Sequence, residues 1–154
     1  MPAIPEGDMH VELNGDGPCG PSRCIRISDP DRLTQFGAFV EILPPGSSSS
    51  IKHWHSAEDE MIYVLEGEIT LIEGDEETVL HPGDAATFRA NEPVGHCLIN
   101  RSDAPTRCLV VGTRASYDRI TYPDRDRVCL RDRSLPGDLW FDTSLKPADS
   151  AYSD

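Results

Sequence analysis

His53-Trp54-His55-Ser56-Ala57-Glu58-Asp59-Glu60, followed by Gly67, is the stretch on which the reading of this chain turns. Alternate residues of a strand share a face, so His53 and His55 point the same way on an extended segment. On the next strand Glu60, Ile62 and Val64 share one face, and Met61, Tyr63 and Leu65 take the other. Apart from Glu60 both faces are apolar, which suits a barrel strand covered on its outside. A further histidine, His96, lies in Gly95-His96-Cys97-Leu98-Ile99-Asn100. If His96 points inward, Leu98 and Asn100 follow it and Cys97 turns away. Two imidazoles, a carboxylate and a third imidazole from another strand form a ligand set for a divalent ion. The carboxylate has three candidates. Glu60 opens the apolar strand, Glu58 has the same parity but falls in a turn, and Asp59 has the opposite parity. His81, before Pro82-Gly83, and His10, in an acidic segment, read as surface histidines.

Outward from this stretch the chain breaks into short β segments. Phe36-Gly37-Ala38-Phe39-Val40-Glu41-Ile42-Leu43 is strand-like and ends at Pro44-Pro45-Gly46. Further strands are expected at 51–55, 60–65, 68–72, 78–81, 85–90, 96–100 and 107–112. Turn signals at Glu66-Gly67, Glu73-Gly74-Asp75 and His81-Pro82-Gly83-Asp84 separate most of them. No segment has the helical period that a crossover helix needs, so an all-β sandwich or barrel is predicted. Asp29–Thr34 reads as one helical turn. The length suits one domain, with a core of about 35–114, an N-terminal arm over 1–22 and a C-terminal extension over 115–154. The extension is polar and rich in Pro and Asp. Its apolar Trp140-Phe141 pair packs either on the chain's own barrel or on a second subunit.

The pattern His53-x-His55-x₄-Glu60-x₆-Gly67 resembles the first motif of the cupins, and Gly83-Asp84 through His96-x₃-Asn100 resembles their second. The second motif departs from the family pattern: the gap from Gly83 to His96 is longer than usual, and Pro93-Val94-Gly95-His96 lacks the usual spacer. The resemblance implies an all-β, double-stranded β-helix (jelly-roll) barrel with N- and C-terminal extensions. It also implies one divalent metal ion (Fe, Mn, Ni, Co or Zn) held by His53, His55, Glu60 and His96. Within the family the chain is similar to small bacterial single-domain cupins of the sugar-phosphate isomerase-like type, and cupins commonly pair, so a homodimer is expected.

Charge and composition narrow the partners. A formal charge of −13 argues against nucleic acid or an anionic membrane surface. No apolar run approaches a membrane span, and the acidic start, with Glu6, Asp8, Glu12 and Asp16 before Arg23, is unlike a secretory leader. Five cysteines without a C-x-x-C pair fit buried thiols in a reducing cytoplasm better than a disulfide scaffold.

Three functions follow from such a centre. One is an isomerase or lyase in which the metal holds vicinal oxygens of a small-molecule substrate and stabilises an enediolate while a side chain moves a proton. Phosphate recognition would then fall to Lys52, Arg89 and Arg101, the basic residues nearest the ligand-bearing segments. The second is a non-haem iron dioxygenase with an apolar pocket of Ile62, Val64, Phe88 and Leu98. The third is a non-catalytic ligand-binding or sensor module.

Overall fold

The computed structural model describes residues 3–15, 17–28 and 33–153. Among the described residues thirteen strands carry the structure: β1 (His10–Asn14), β2 (Ser22–Arg26), β3 (Phe36–Leu43), β4 (Trp54–His55), β5 (Glu60–Glu66), β6 (Ile69–Glu73), β7 (Glu76–Leu80), β8 (Ala85–Phe88), β9 (His96–Ile99), β10 (Thr106–Thr113), β11 (Tyr117–Tyr122), β12 (Arg127–Asp132) and β13 (Leu139–Phe141). The helical turn expected at Asp29–Thr34 lies, over 29–32, outside the described residues.

The pairing is antiparallel throughout and forms three sheets. The largest has the order β1-β2-β3-β10-β5-β8, a second runs β13-β12-β11-β4, and a third runs β7-β6-β9. The jelly-roll core sits between the large sheet and the three-stranded one. Leu43, Ile62, Val64, Ile69, Leu71 and Leu98 form its centre. The alternation expected along β5 is present: Ile62 and Val64 are buried, whereas Tyr63 and Leu65 are about 40% exposed. Gly67 turns the chain between β5 and β6 with φ of +80°, a conformation that disfavours any side chain.

Two differences from the expected segments shape the site. The strand expected at 51–55 is only Trp54–His55, and His53 instead forms a bridge to His96, with backbone N–H···O bonds of 2.9 and 3.2 Å. The chain therefore leaves β9 at His53 and joins β11 at His55, which pairs with Ile120. The second difference is the C-terminal extension. It contains the β11–β12–β13 sheet, whose alternation buries Asp118, Ile120 and Tyr122 and turns Tyr117 and Arg119 outward. Trp140 packs on this chain's own second apolar cluster, with its ring centroid 5.4 Å from that of Tyr122. At the other end, β1 forms the edge of the large sheet.

All five cysteines are free thiols, four of them buried. Among the described residues, no helix is long and apolar enough to cross a membrane.

Candidate metal centre

His53, His55, Glu60 and His96 come from four different pieces of backbone: the β9-bridged loop, β4, β5 and β9. Glu60 Oε2 lies 4.0 Å from His53 Nε2, 3.6 Å from His55 Nε2 and 3.6 Å from His96 Nε2. Donor atoms that share one ion at about 2.0–2.3 Å stand roughly 3–4.5 Å apart. The donor atoms of His53, Glu60 and His96 lie within 4.8 Å of one another and suit a common centre, which His55 adjoins through Glu60. His96 Nε2 is buried and has no hydrogen-bond partner, a costly state for a ring nitrogen unless something else occupies its lone pair. The residues present therefore fit a divalent ion, and a set of three neutral imidazoles and one carboxylate leaves it with open positions.

Each ring is held in the orientation this requires. His53 Nδ1 lies 2.9 Å from the Ile51 carbonyl, which accepts its proton and leaves Nε2 as the free lone pair. His55 Nδ1 donates to Asp118 Oδ2 at 2.6 Å, fixing the same tautomer from the opposite side. The His96 ring stacks on Phe88, with centroids 3.6 Å apart and planes 4° from parallel. Burial, together with the neighbouring imidazoles, pushes His53 down to about 4 against the pull of Glu60, which keeps the ring in its neutral, ligating form. Burial would raise Glu60, but the three histidines outweigh it and hold the carboxyl below its ordinary value.

A second convergence of donors joins His55, Glu58 and Asp118. Most of its atoms are already engaged in hydrogen bonds. Asp118 Oδ1 accepts from the Ala57 N–H and the Ser56 hydroxyl, and Glu58 Oε1 accepts from the Ala115 N–H and, at 2.6 Å, from Arg133. This group is a support around His55, and the three acids competing in sequence thus take different tasks. Asp59 Oδ1 caps the Ala90 N–H. Cys97 belongs to neither convergence of donors, and burial raises its thiol to about 11. His81 and His10 are exposed and lie beside Glu68 and Glu12.

The histidines stand in the wall of a cavity of about 480 Å³. Ile62, Phe88 and Leu98 line it, whereas Val64 is wholly enclosed in the core. The expected basic lining is corrected here: none of Lys52, Arg89 and Arg101 borders this cavity. Lys52 is drawn away to the Gly74 carbonyl and Asp124, and Arg101 to Glu77 on the surface. Arg89 borders two other pockets, a small one shared with His55 and His96 and a larger one shared with Glu60. The cavity's cations are instead Arg26, Arg114, Arg131 and Arg133. Proximity to the histidines in sequence was the wrong signal, because Arg26 and Arg131 arrive on β2 and β12, and Arg114 and Arg133 directly after β10 and β12. Arg26 is tied to Glu12, Arg131 by two bonds to Asp138, and Arg133 to Glu58. Arg114 lies over Gly37, where a Cβ would come within 3.3 Å of its guanidinium. It donates to the Leu33 carbonyl and to Ser28, with no carboxylate partner among the described residues.

The Cupin domain model matches residues 39–112, which span the histidine and glutamate positions. A sugar phosphate isomerase of the cupin superfamily from Silicibacter pomeroyi is 31% identical, with a TM-score of 0.84 over 97% of this chain and 98% of that one. The chain belongs to the cupin superfamily. This cupin also resembles a candidate sugar phosphate isomerase from Acidithiobacillus ferrooxidans, at 25% identity and a TM-score of 0.72 over 83% of this chain and 81% of the other. A predicted oxalate decarboxylase from Thermotoga maritima shares the fold, at 19% identity and a TM-score of 0.64 over 73% and 99%. No curated protein matches the cupin in sequence.

Proposed function

We propose that this cupin is a metal-dependent enzyme that isomerises a small phosphorylated sugar. The observation that carries the reading is the joining, in one cavity, of the three-histidine, one-glutamate cluster with Arg114. The lining residues carry four arginines against Glu41, Glu58, Asp59 and Glu60. Three of these arginines are already paired, with Glu12, Asp138 and Glu58, so Arg114 together with an ion would supply the positive charge that draws in an anion although the chain carries −13. The name borne by the Silicibacter pomeroyi relative supports the same reading, as an analogy between similar folds.

His53, His55, Glu60 and His96 would hold the ion, which supplies Lewis-acid polarisation of a substrate carbonyl. Asp118 and the Ile51 carbonyl keep two of the imidazoles aimed. Arg114 offers a planar pair of N–H donors to a phosphate dianion. Ile62, Phe88 and Leu98 exclude water around the reacting carbons. A cavity of this size lies within the range of small-molecule sites, about 300–1,000 Å³.

The test is isomerase assay of protein purified without chelator or added metal, with its metal identified by elemental analysis. Arg114→Ala should raise KM for an aldose phosphate at least tenfold more than for the unphosphorylated aldose. Equal effects on both substrates would remove the phosphorylated-sugar reading. The apolar wall also suits an oxygenase, and iron in the purified protein together with substrate-dependent oxygen uptake would establish that function instead.

A further inference from the structure

Glu41 is a carboxylic acid in an apolar wall. On β3 it lies opposite Cys108 of β10 and Cys24 of β2, so its side chain shares the inner face with theirs. Val64 of β5 faces Cys108 from the other side and completes an apolar row around it. Glu41 is 6% exposed and lines the same cavity as the histidine cluster. Among the described residues, no N–H or O–H donates to its carboxyl. A carboxyl set among apolar side chains without a hydrogen-bond donor is costly, and valine or leucine would suit this row better. The residue thus has no structural role that explains its chemistry, and it opens onto the space where a ligand would lie.

We propose that Glu41 is the proton-transfer residue of this cavity, acting on the carbon next to the carbonyl of a substrate held at the histidine cluster. The inference rests on the isomerase reading above. In the forward direction the Glu41 carboxylate takes the proton from C2 of an aldose. The C–H electron pair becomes the C1–C2 double bond, and the carbonyl π pair moves onto O1, giving an enediolate. Glu41, now protonated, returns that proton to C1 while the O2 hydroxyl proton passes to O1 and the C2 carbonyl forms. Atoms and electrons balance without a redox partner.

The surroundings tune Glu41 toward this task. Burial raises its carboxyl to about 8, the Glu60 charge adds to the rise, and Arg26 opposes it. The other titratable groups facing it are the thiols of Cys19, Cys24 and Cys108, all of which burial keeps protonated. A carboxyl near neutrality, on which either protonation state is accessible, is what a residue that both takes and returns a proton requires.

The test compares the metal-loaded full chain with Glu41→Gln and Glu41→Asp in deuterium oxide, with ribose 5-phosphate as probe. NMR follows loss of the C2 hydrogen, elemental analysis gives metal content, and calorimetry measures binding of the unreactive ribitol 5-phosphate. Glu41→Gln should lose at least about 100-fold in exchange rate, with metal content and ribitol 5-phosphate affinity within threefold of the parent. Glu41→Asp should recover part of the rate. Exchange at the parental rate in Glu41→Gln, or a loss that merely tracks lost metal, would overturn the proposal. Infrared spectra of the metal-free chain at pH 7 provide a readout independent of turnover. A protonated-carboxyl band that Glu41→Gln removes supports the proposal, and its absence sinks it. A parent chain that binds ribitol 5-phosphate but exchanges nothing overturns Glu41 as the base. One that neither binds nor exchanges overturns the isomerase reading, and the infrared band then decides Glu41 alone.

Discussion

Asp118 Oδ2 accepts the Nδ1 proton of His55 at 2.6 Å, across sixty-three residues of sequence. A carboxylate behind a ligating imidazole fixes its tautomer and raises its basicity, and losing such a partner typically costs 10–100-fold in metal affinity. Burial opposes the charge on Asp118, but hydrogen bonds from His55, the Ala57 N–H and Ser56 outweigh it and hold the carboxyl below its usual range. Asp118→Ala should therefore weaken metal binding by about 10–100-fold, as measured by competition with a chromophoric chelator. Unchanged affinity would show that His55 needs no such support.

The histidines differ in what else depends on them. His53→Ala should abolish tight metal binding and leave the metal-free unfolding midpoint near that of the parent, because the apolar strand faces carry the core. His55→Ala should lose the metal and also about 1–3 kcal/mol of stability, since it strands the buried Asp118 carboxylate. Metal itself should add only the mass-action increment set by its affinity. Complete unfolding of the parent on chelation would instead mark the centre as structural.

Glu41 predicts a pH signature in stability. Its folded-state carboxyl is raised to about 8 by burial, above the ordinary 4.5. Between these values the folded chain keeps a proton that the unfolded chain releases, so this group lowers stability as pH rises, by up to about 1.4 kcal/mol per pH unit. The metal-free Glu41→Gln variant should gain on the parent progressively from pH 5 to 8 in denaturant titrations. A constant difference across that window would show that Glu41 is ionised in the folded protein.

Gly67 offers a test of the barrel rather than of its chemistry. A Cβ there would lie 2.8 Å from the Pro105 carbonyl oxygen and 3.1 Å from Thr106 Cα, on backbone with φ of +80°. Both neighbours are main chain and cannot rotate aside. Gly67→Ala should therefore cost more than about 1 kcal/mol, read from the denaturation midpoint. A neutral effect would mean that the β5–β6 turn relaxes freely.

Strand alternation made His53, His55, Glu60 and His96 legible as a group, because a side chain's face depends only on its parity along an extended backbone. The same rule placed Ile62 and Val64 in the core and Tyr63 and Leu65 outside. It was available for the C-terminal segment too, where Asp118, Ile120 and Tyr122 alternate with Tyr117, Arg119 and Thr121. There the inward set includes an aspartate, which reads as surface until its partner is known.

What the sequence by itself determined is the β character of the chain and its family pattern, which follow from local periodicity and short spacing and which make His53, His55, Glu60 and His96 the expected ligand positions. Only the tertiary structure decided which charges serve the cavity. Lys52 and Arg101 adjoin the histidine strands yet turn to Gly74, Asp124 and Glu77, while Arg26, Arg114, Arg131 and Arg133 enter from strands, or the residues directly after them, distant in the chain. The support of His55 by Asp118 and the isolation of Glu41 were decided in the same way. Both depend on which strands pair and at what register, and antiparallel pairing over tens of residues is set by the packing of the whole barrel rather than by any local run of residues.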